Sequence, residues 1–178
     1  RVRLLIIVND NDPDDTPQVA DRLATKFDQI EVVHRNVASS YGGAVKAGFR
    51  EVDGDVIIPI MADLSDDIDA IPDLVAAINE GYDIVYASRF LEPNSLENYP
   101  PGKLIANRLF NSVARLLFGL DTKDLSNGFS AYHSSVIDEI ASHLRSESFD
   151  IMVELKLLAH IHKYSSTEVA VTWRGRDA

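Results

Sequence analysis

Two acidic segments, each directly after a short apolar run, are the parts of this sequence best suited to chemistry. The first spans residues 9–15 after the run at 4–8, and the second spans 63–69 after the run at 55–60. Mg²⁺ and Mn²⁺ prefer oxygen ligands, and the absence of cysteine excludes a thiolate metal site. A metal ion bound by this chain would therefore be held by oxygen or imidazole ligands, which favours Mg²⁺ or Mn²⁺.

The first acidic segment has an alternative interpretation as a calcium loop. The spacing of Asp10, Asp12 and Asp14 matches the first three ligands of such a loop, but the glycine and the final glutamate that it requires are absent. A solvated turn, with hydrogen bonds from side chains to the backbone, explains most of the segment better. Asp10 is the exception, because it follows a predicted strand directly and would face a ligand crevice.

The composition limits the classes of protein to which this chain can belong. Its 178 residues suit one core, and we expect a single domain over 1–178. The net charge of −11 argues against a broad basic surface that binds nucleic acid. No run approaches the roughly 18 apolar residues of a membrane span, and no signal peptide is evident, so we expect a soluble, cytoplasmic chain.

Strand-like and helix-like patterns alternate along the chain. Short apolar runs predict strands at 4–8, 30–33, 55–60, 83–87, 129–132 and 167–173. Helical spacing predicts helices at 17–27, from Gly42 onward, and at 71–78, 104–118, 134–144 and 150–162. This order predicts an α/β fold with a mostly parallel, mixed sheet and helices on both faces, and both acidic segments then follow the carboxyl ends of strands. The proline- and asparagine-rich segment 92–102 is predicted to form a mobile loop.

Five short segments, in this order and spacing, resemble glycosyltransferase family 2. They are 6–16, Met-Ala-Asp-Leu-Ser at 61–65, Ala-Ser-Arg-Phe at 87–90, Asn-Gly-Phe-Ser-Ala-Tyr at 127–132, and 168–176. Within the family the match is nearest to the dolichol- or polyprenyl-phosphate mannosyltransferases. The resemblance implies the GT-A fold of nucleotide-sugar enzymes. It also implies an opening strand that would be central in the sheet, so we expect the catalytic domain given by this sequence to be incomplete at its N-terminus.

The resemblance implies an inverting transferase that moves a hexose, mannose or glucose, from GDP-mannose or a UDP-hexose to a polyprenyl phosphate or a related acceptor. Negative charge grows on the departing nucleoside diphosphate, and a metal ion and arginines stabilise it. One alternative is transfer to a saccharide hydroxyl, which would need a general base, and Asp124 and Glu154 are the candidates. The other is a degenerate nucleotide-binding or scaffolding domain without catalysis.

The resemblance also carries roles onto individual residues. Asp63 is the implied metal ligand, and Asp10 stands where the family contacts the base or ribose. Arg89 and Arg176 match positions that face the diphosphate or an acceptor phosphate, and the alternative for each is a surface ion pair. The other residues that we assign to nucleotide-sugar binding are Asn9, Gly42, Gly43, Lys46 and Ala62.

Three positions depart from the pattern of the family. Met61 stands where the metal loop usually has its first aspartate, and Asn9 stands where the first of two aspartates is common. Ser130 stands where a Gly-Phe-Arg motif carries its arginine. Asp66 or Asp67 could supply the missing carboxylate from the other side of the metal loop. These substitutions motivate the hypothesis of a degenerate domain.

The predicted helix within 103–118 is unusually apolar for a surface element. Arg108 and Arg115 lie seven residues apart and therefore project from one face. Core packing or a homodimer contact would explain the apolar residues. Peripheral contact with a membrane, at its inner face, would explain the apolar residues and the arginines together.

Overall fold

The computed structural model describes residues 4–93 and 95–175, and its elements alternate largely as predicted. The strands are β1 (Leu5–Asn9), β2 (Ile30–His34), β3 (Val56–Ile57), β4 (Ile84–Ser88), β5 (Leu96–Glu97), β6 (Ser130–His133), β7 (Ser166–Ala170) and β8 (Trp173–Arg174). The helices are α1 (Thr16–Lys26), α2 (Tyr41–Glu51), α3 (Ile71–Asn79), α4 (Pro101–Phe118), α5 (Ser134–Ile140) and α6 (Ile151–Ile161). Short 3₁₀ turns at Ile68–Ala70 and Ala141–His143 lie beside α3 and α5.

The strands form one mixed four-stranded sheet and two parallel pairs. The main sheet has the order β3-β6-β4-β7, in which β6 is antiparallel to both of its neighbours and β4 is parallel to β7. Strands β1 and β2 form a parallel pair, and β5 and β8 form another. The mixed sheet that the sequence predicts is therefore present, with β6 as the antiparallel strand.

Strand β4 shows why the sheet is covered on both faces. All five of its residues are buried, which is the pattern of a strand with protein on either side. Ile84 and Tyr86 pack into a core with α5 and α6, whereas Val85 and Ala87 pack into a second core with α3. Successive strand residues point to opposite faces, so the two cores lie on opposite sides of the sheet.

Helix ends follow local sequence signals. The Ser40 side chain accepts a hydrogen bond from the Gly43 amide at 3.2 Å and caps the start of α2. Pro101 opens α4 in the first turn, where its missing amide hydrogen costs nothing. Gly119 ends α4 with a φ of 67°, a conformation that glycine adopts without strain.

Two predictions about local structure were wrong in part. The strand expected at 55–60 is regular only over Val56–Ile57, where it pairs with β6, and the chain then turns into the second acidic segment. The loop expected at 92–102 contains β5, which pairs with β8, and the amide of Trp173 donates to the Ser95 carbonyl at 2.8 Å. Pairing with the distant β8 could not be read from the local composition.

Candidate active site

The second acidic segment folds into a compact loop after β3. The Asp63 carboxylate accepts hydrogen bonds from the Ser65 amide at 3.1 Å and from the Ser65 hydroxyl at 2.7 Å. The Asp66 carboxylate accepts from the Met61 amide at 3.0 Å. Burial, together with the nearby Asp63 charge, raises the pKa of Asp66, although the Met61 hydrogen bond acts in the opposite direction. The loop therefore brings two carboxylates of the same sign close enough to interact.

Asp67 has a different role from Asp66. Its carboxylate accepts from the amide of Thr172 at 3.1 Å and from the Thr172 hydroxyl at 2.8 Å, so it ties the loop to the segment before β8. Of the two residues proposed to replace the missing metal ligand, Asp66 is influenced by the charge of Asp63. Two carboxylates do not complete a coordination sphere, and the part of the chain that the structure describes contains no cluster of three or more metal-binding side chains. A bound ligand would have to supply the remaining oxygens.

Tyr41, at the start of α2, faces the same loop, although no motif in the sequence singled it out. Burial raises the pKa of Tyr41 to about 12, and the charges of Asp66 and then Asp63 act in the same direction. Its ring stacks on Phe149 with 4.4 Å between the ring centroids. A Cβ atom at Gly128 would lie 3.4 Å from the Tyr41 hydroxyl, so this hydroxyl lies beside the segment that precedes β6. At neutral pH it is a protonated hydroxyl beside two carboxylates.

Arg89 follows β4 and forms a buried ion pair with Asp124. Its Nε and Nη2 atoms donate to the two oxygens of Asp124 at 2.7 and 2.9 Å, and its backbone amide donates at 3.0 Å. Nη2 also donates to the Ser126 hydroxyl at 3.1 Å. The two side chains are 7% and 0% exposed. The ion pair of Arg89 is therefore buried and does not lie at the surface. The Asp124 carboxylate holds the guanidinium in a fixed orientation.

Asp124 and Glu154 do not have the environment of a general base. Asp124 is fully buried, and although burial opposes it, the hydrogen bonds and charge of Arg89 lower the pKa of Asp124. The Glu154 carboxylate accepts from the amides of Arg145 and Ser146 at 2.9 to 3.0 Å. Both carboxylates accept hydrogen bonds from donors of the protein itself, and this arrangement does not favour either one as a general base.

The loop after β1 contains a second aspartate–arginine contact. Asp10 pairs with Arg35 through one oxygen and accepts from the Ser40 amide at 2.6 Å through the other. Arg35 also donates to the Ser40 carbonyl at 3.2 Å. These contacts join the end of β1 to the start of α2. Asp10 is thus held in place at the carboxyl end of its strand, as the sequence predicted.

Asn9 is buried at the end of β1. Its amide nitrogen donates to Asp12 at 2.7 Å, and its amide oxygen lies 3.4 Å from a ring nitrogen of His34. These contacts stay within the protein and fix the turn of the first acidic segment. An asparagine supplies the donor that an aspartate in this position would lack.

Gly42, Gly43 and Lys46 each contact a neighbouring segment of the same chain. A Cβ atom at Gly42 would collide with the Ser146 carbonyl, and one at Gly43 would collide with the Arg35 guanidinium. Lys46 pairs with Glu147. Each residue lies where α2 meets a neighbouring segment of the same chain, and its assignment to nucleotide-sugar binding stays a prediction.

The remaining predicted residues are divided between the site and its surroundings. Ala62 is exposed in the same loop as Asp63, and the Met61 backbone binds Asp66. Ser130 is fully buried in β6, with its hydroxyl donating to the neighbouring Phe129 carbonyl at 2.6 Å, so it does not face a ligand. Arg176 lies outside the described residues.

Aromatic and basic side chains gather where β5, β8 and the start of α4 meet. The rings of Tyr99 and Trp173 pack edge to face with 4.9 Å between centroids. The Lys103 ammonium lies 5.3 Å from the Tyr99 ring centre and 5.8 Å from that of Trp173, and the Arg89 guanidinium lies 6.0 Å from the Tyr99 ring. The charges of Arg89 and Asp66 also interact. This cationic cluster therefore adjoins the acidic loop.

Helix α4 leaves most of its apolar residues in contact with solvent. The exposed apolar residues, named here the α4 patch, are Ile105, Leu109, Phe110, Val113, Leu116, Leu117 and Phe118. Leu116 is 85% exposed and Ile105 is 69% exposed. Among residues 4–93 and 95–175, no helix combines the length and hydrophobicity needed to cross a membrane.

Comparison with known proteins identifies similar sequences over nearly the whole chain. The model of the family described as glycosyl transferase family 2 matches residues 4–141. A polyprenol monophosphomannose synthase of Mycolicibacterium smegmatis is 28% identical, with 97% of this chain and 67% of that protein covered. A dolichol-phosphate mannosyltransferase of Pyrococcus furiosus is 31% identical, with 95% and 47% covered. The chain thus spans about two thirds of the first relative and about half of the second.

Solved structures show the same arrangement of helices and strands. A glucosyl-3-phosphoglycerate synthase from Mycobacterium tuberculosis, in complex with Mn²⁺, UDP-glucose and phosphoglyceric acid, superposes with a TM-score of 0.64. It is 17% identical, and the match covers 97% of this chain and 61% of that one. At this level of identity the likeness establishes a shared fold.

Proposed function

Because the chain belongs to glycosyltransferase family 2, we propose that it moves a hexose, mannose or glucose, from a GDP- or UDP-sugar to a polyprenyl phosphate, with inversion at the anomeric carbon. The names of the two mannosyltransferase relatives support this class of acceptor. One structural observation carries the proposal. A loop with two interacting carboxylates adjoins a cluster of cations, so that a metal-bound diphosphate and a second phosphate could lie side by side.

Asp63 and Asp66 are the residues that would hold a divalent cation, Mg²⁺ or Mn²⁺, on the donor side. The raised pKa of Asp66 supports this assignment, because two like charges in a partly buried loop are stabilised by a cation between them. When bound, the cation would neutralise charge on the diphosphate of the nucleotide-sugar. The neighbouring Tyr41 hydroxyl supplies a hydrogen-bond donor at the same place. Asp10 would contact the base or ribose.

On the acceptor side, Arg89 and Lys103 would bind the phosphate of the lipid. An oxygen of this phosphate forms a bond to the anomeric carbon, and the bond from that carbon to the diphosphate breaks, with its electron pair leaving on the diphosphate. The phosphate oxygen is ionised at neutral pH, so no proton has to be removed. A reaction of this kind suits a site in which Asp124 and Glu154 are both occupied by internal donors.

A transfer assay tests this function directly. The chain would be incubated with Mn²⁺, a short-chain polyprenyl phosphate and radiolabelled GDP-mannose or UDP-glucose. We expect label in the lipid phase, and we expect Asp63→Asn to lower the rate by about a hundredfold or more, as loss of an electrostatic group at a transition state does. Asp69→Asn, an exposed acid of the same segment, is the matched control and should retain the wild-type rate.

Two other outcomes would redirect the proposal. If nucleotide-sugars bind but no lipid or saccharide acceptor is glycosylated, the domain is a degenerate nucleotide-binding or scaffolding member of the family. If a saccharide hydroxyl is glycosylated in place of the lipid phosphate, the acceptor assignment is wrong and a base other than Asp124 or Glu154 must act.

We further propose that the α4 patch contacts an anionic membrane surface, where a polyprenyl phosphate would be anchored. Helix α4 contains Lys103, Arg108 and Arg115 and no acidic residue, although the whole chain has a net charge of −11. Exposed apolar side chains beside basic ones are the features of a helix that lies in a membrane interface. Lys103 in the first turn of α4 belongs to the cationic cluster, so the same helix would bring the lipid headgroup to the site.

Co-sedimentation with vesicles tests this contact. We expect the wild-type chain to pellet with vesicles of phosphatidylcholine and phosphatidylglycerol, and the double variant Arg108→Glu, Arg115→Glu to remain in the supernatant. The control Arg22→Glu, Arg50→Glu makes the same charge change on the exposed surfaces of α1 and α2 and should pellet as the wild type does. Equal pelleting of both double variants would refute the contact. If the chain forms a concentration-dependent dimer in which the α4 patch is buried, α4 would be assigned to a homodimer interface.

A further inference from the structure

Lys156 on α6 is fully buried and has no part in the reaction described above. Its ammonium group donates to the backbone carbonyl oxygens of Asp124 and Leu125, each at 3.3 Å, and to that of Asn127. A protonated lysine has three N–H donors, and three carbonyl acceptors are present. Each N–H donor of the charged side chain therefore has one carbonyl acceptor.

These three carbonyls belong to one turn, residues 124–127, which also positions Arg89. Asp124 of the turn binds the Arg89 guanidinium through both oxygens, and the Ser126 hydroxyl accepts a further hydrogen bond from it. The Asn127 side chain donates to the Ala87 carbonyl at 2.8 Å, just before Arg89 in sequence. Any shift of the 124–127 turn would move the Asp124 carboxylate, which orients the Arg89 guanidinium.

We propose that Lys156 is a positioning residue: by holding the 124–127 turn, it fixes the orientation of the Arg89 guanidinium next to the cationic cluster. Lys156 acts through the turn and touches no substrate. Replacement of its charge by an apolar group leaves three buried carbonyls without their donor, each of which is costly to bury unpaired. The kinetic part of this inference rests on the proposed transferase function, whereas its structural part does not.

The surroundings of Lys156 make its protonation sensitive to mildly alkaline pH. The groups that face it are Asp124 in the turn, Arg89 after β4, Glu168 on β7 and the ring of Tyr86 on β4, whose centre is 5.0 Å away. Burial lowers the pKa of Lys156 to about 8, with Arg89 acting in the same direction and the two carboxylates opposing it. Above that pH, two N–H donors remain for three carbonyls.

The Nε–H proton of Arg89 provides a direct spectroscopic test. This proton is buried and bonded to Asp124 at 2.7 Å, so its NMR signal should exchange slowly and can be assigned by its loss in Arg89→Lys. We expect the wild-type signal to shift between pH 7 and 9.5 with a midpoint near 8, and we expect Lys156→Met to abolish that inflection. If the Arg89 signal stays unchanged while the Lys156 side chain itself titrates, as followed by the NMR signal of its Cε carbon, the inference is overturned, even if Lys156→Met fails to fold.

Steady-state kinetics with polyprenyl phosphate as acceptor provide the second test. We expect Lys156→Met to lower kcat/KM for the acceptor by ten- to hundredfold, the effect of a small misplacement of a binding group, with the KM for the nucleotide-sugar nearly unchanged. Lys156→Arg, which keeps the charge and the donors, should recover part of this loss, and Lys26→Met on the exposed surface should have no effect. A folded Lys156→Met protein with the wild-type Arg89 signal and wild-type kinetics overturns the inference. If wild-type protein transfers no sugar, the proposed function fails and the NMR titration still decides the role of Lys156.

Discussion

The two charged centres of this molecule are built in opposite ways. Around Arg89, every buried charge has an internal partner: Asp124 binds the guanidinium through two oxygens, and Lys156 binds the turn that carries Asp124. In the acidic loop, Asp63 and Asp66 raise the electrostatic energy of one another, and the pKa of Asp66 is raised by burial and by its neighbour. Both centres lie at the same edge of the sheet.

The two centres therefore differ in what balances their charges. In the Arg89 centre other groups of the protein do so, whereas in the acidic loop we propose that a bound cation does. Buried charges that lack partners are strongly destabilising, so the Arg89 centre has to be balanced before any ligand arrives. Two partly exposed carboxylates of like charge can lie close together at modest cost, and a cation bound beside them would reduce that cost. The acidic loop is therefore the ligand-dependent half of the site, and the Arg89 centre is its fixed frame.

The largest effect should follow from breaking the balanced centre. Arg89→Met leaves the Asp124 carboxylate buried without its partner, and we expect the free energy of unfolding to fall by about 3–5 kcal/mol. Urea denaturation of the wild type and the variant measures this difference. The double variant Arg89→Met, Asp124→Leu removes both charges and should recover most of the lost stability. A single variant as stable as the wild type would mean that the pair is not buried as described.

A smaller effect of opposite sign should follow from a change in the acidic loop. The folded-state pKa of Asp66 is raised above its ordinary value of 3.8, so its contribution to stability is fully present below pH 3.8 and is lost as the pH rises through the folded-state pKa. Asp66→Asn removes the charge and keeps an oxygen for the Met61 amide. At pH 7 we expect this variant to be more stable than the metal-free wild type by roughly 0.5–1 kcal/mol.

The pH dependence distinguishes this explanation from a general effect of the substitution. The stability difference between Asp66→Asn and the wild type should shrink towards zero as the pH is lowered below 3.8, because the wild-type carboxyl is then protonated in the folded and the unfolded state. Asp69→Asn, in the same segment, serves as the control and should show no such trend. A difference that is constant with pH would argue that Asp66 is not perturbed by its neighbours.

Much of the fold was predictable from the sequence because local patterns determine it. The prediction of family 2 membership is confirmed by the family model, and the GT-A fold is confirmed by the similar structures. The short apolar runs at 4–8 and 83–87 appear as strands β1 and β4, although β4 alone is buried along its whole length and β1 is partly exposed. Asp66 was one of two residues expected to stand in for the metal ligand lost at Met61, and the charge of Asp63 influences its pKa.

The site was less predictable because its contacts join residues that are far apart in sequence. Asp124 is a carboxylate of the kind that can act as a general base. Its ion pair with Arg89, 35 positions away in sequence, is visible only in the structure. Lys156 lies in an apolar helix, and nothing in its neighbourhood indicates three carbonyl acceptors from another segment. Gly42 and Gly43 were assigned to nucleotide-sugar binding, and the close packing of Ser146 and Arg35 against them could not be predicted from the sequence.

The central claim is that Asp63 and Asp66 together form a cation-dependent site for a nucleotide-sugar. Calorimetric titration of GDP-mannose and UDP-glucose into the chain, with Mn²⁺ or with EDTA, tests it most directly. We predict that one of the two binds in Mn²⁺, that EDTA weakens this binding by about tenfold or more, and that Asp63→Asn abolishes the difference without lowering Tm. Equal binding with Mn²⁺ and with EDTA, or a metal dependence that survives in Asp63→Asn, would contradict the claim.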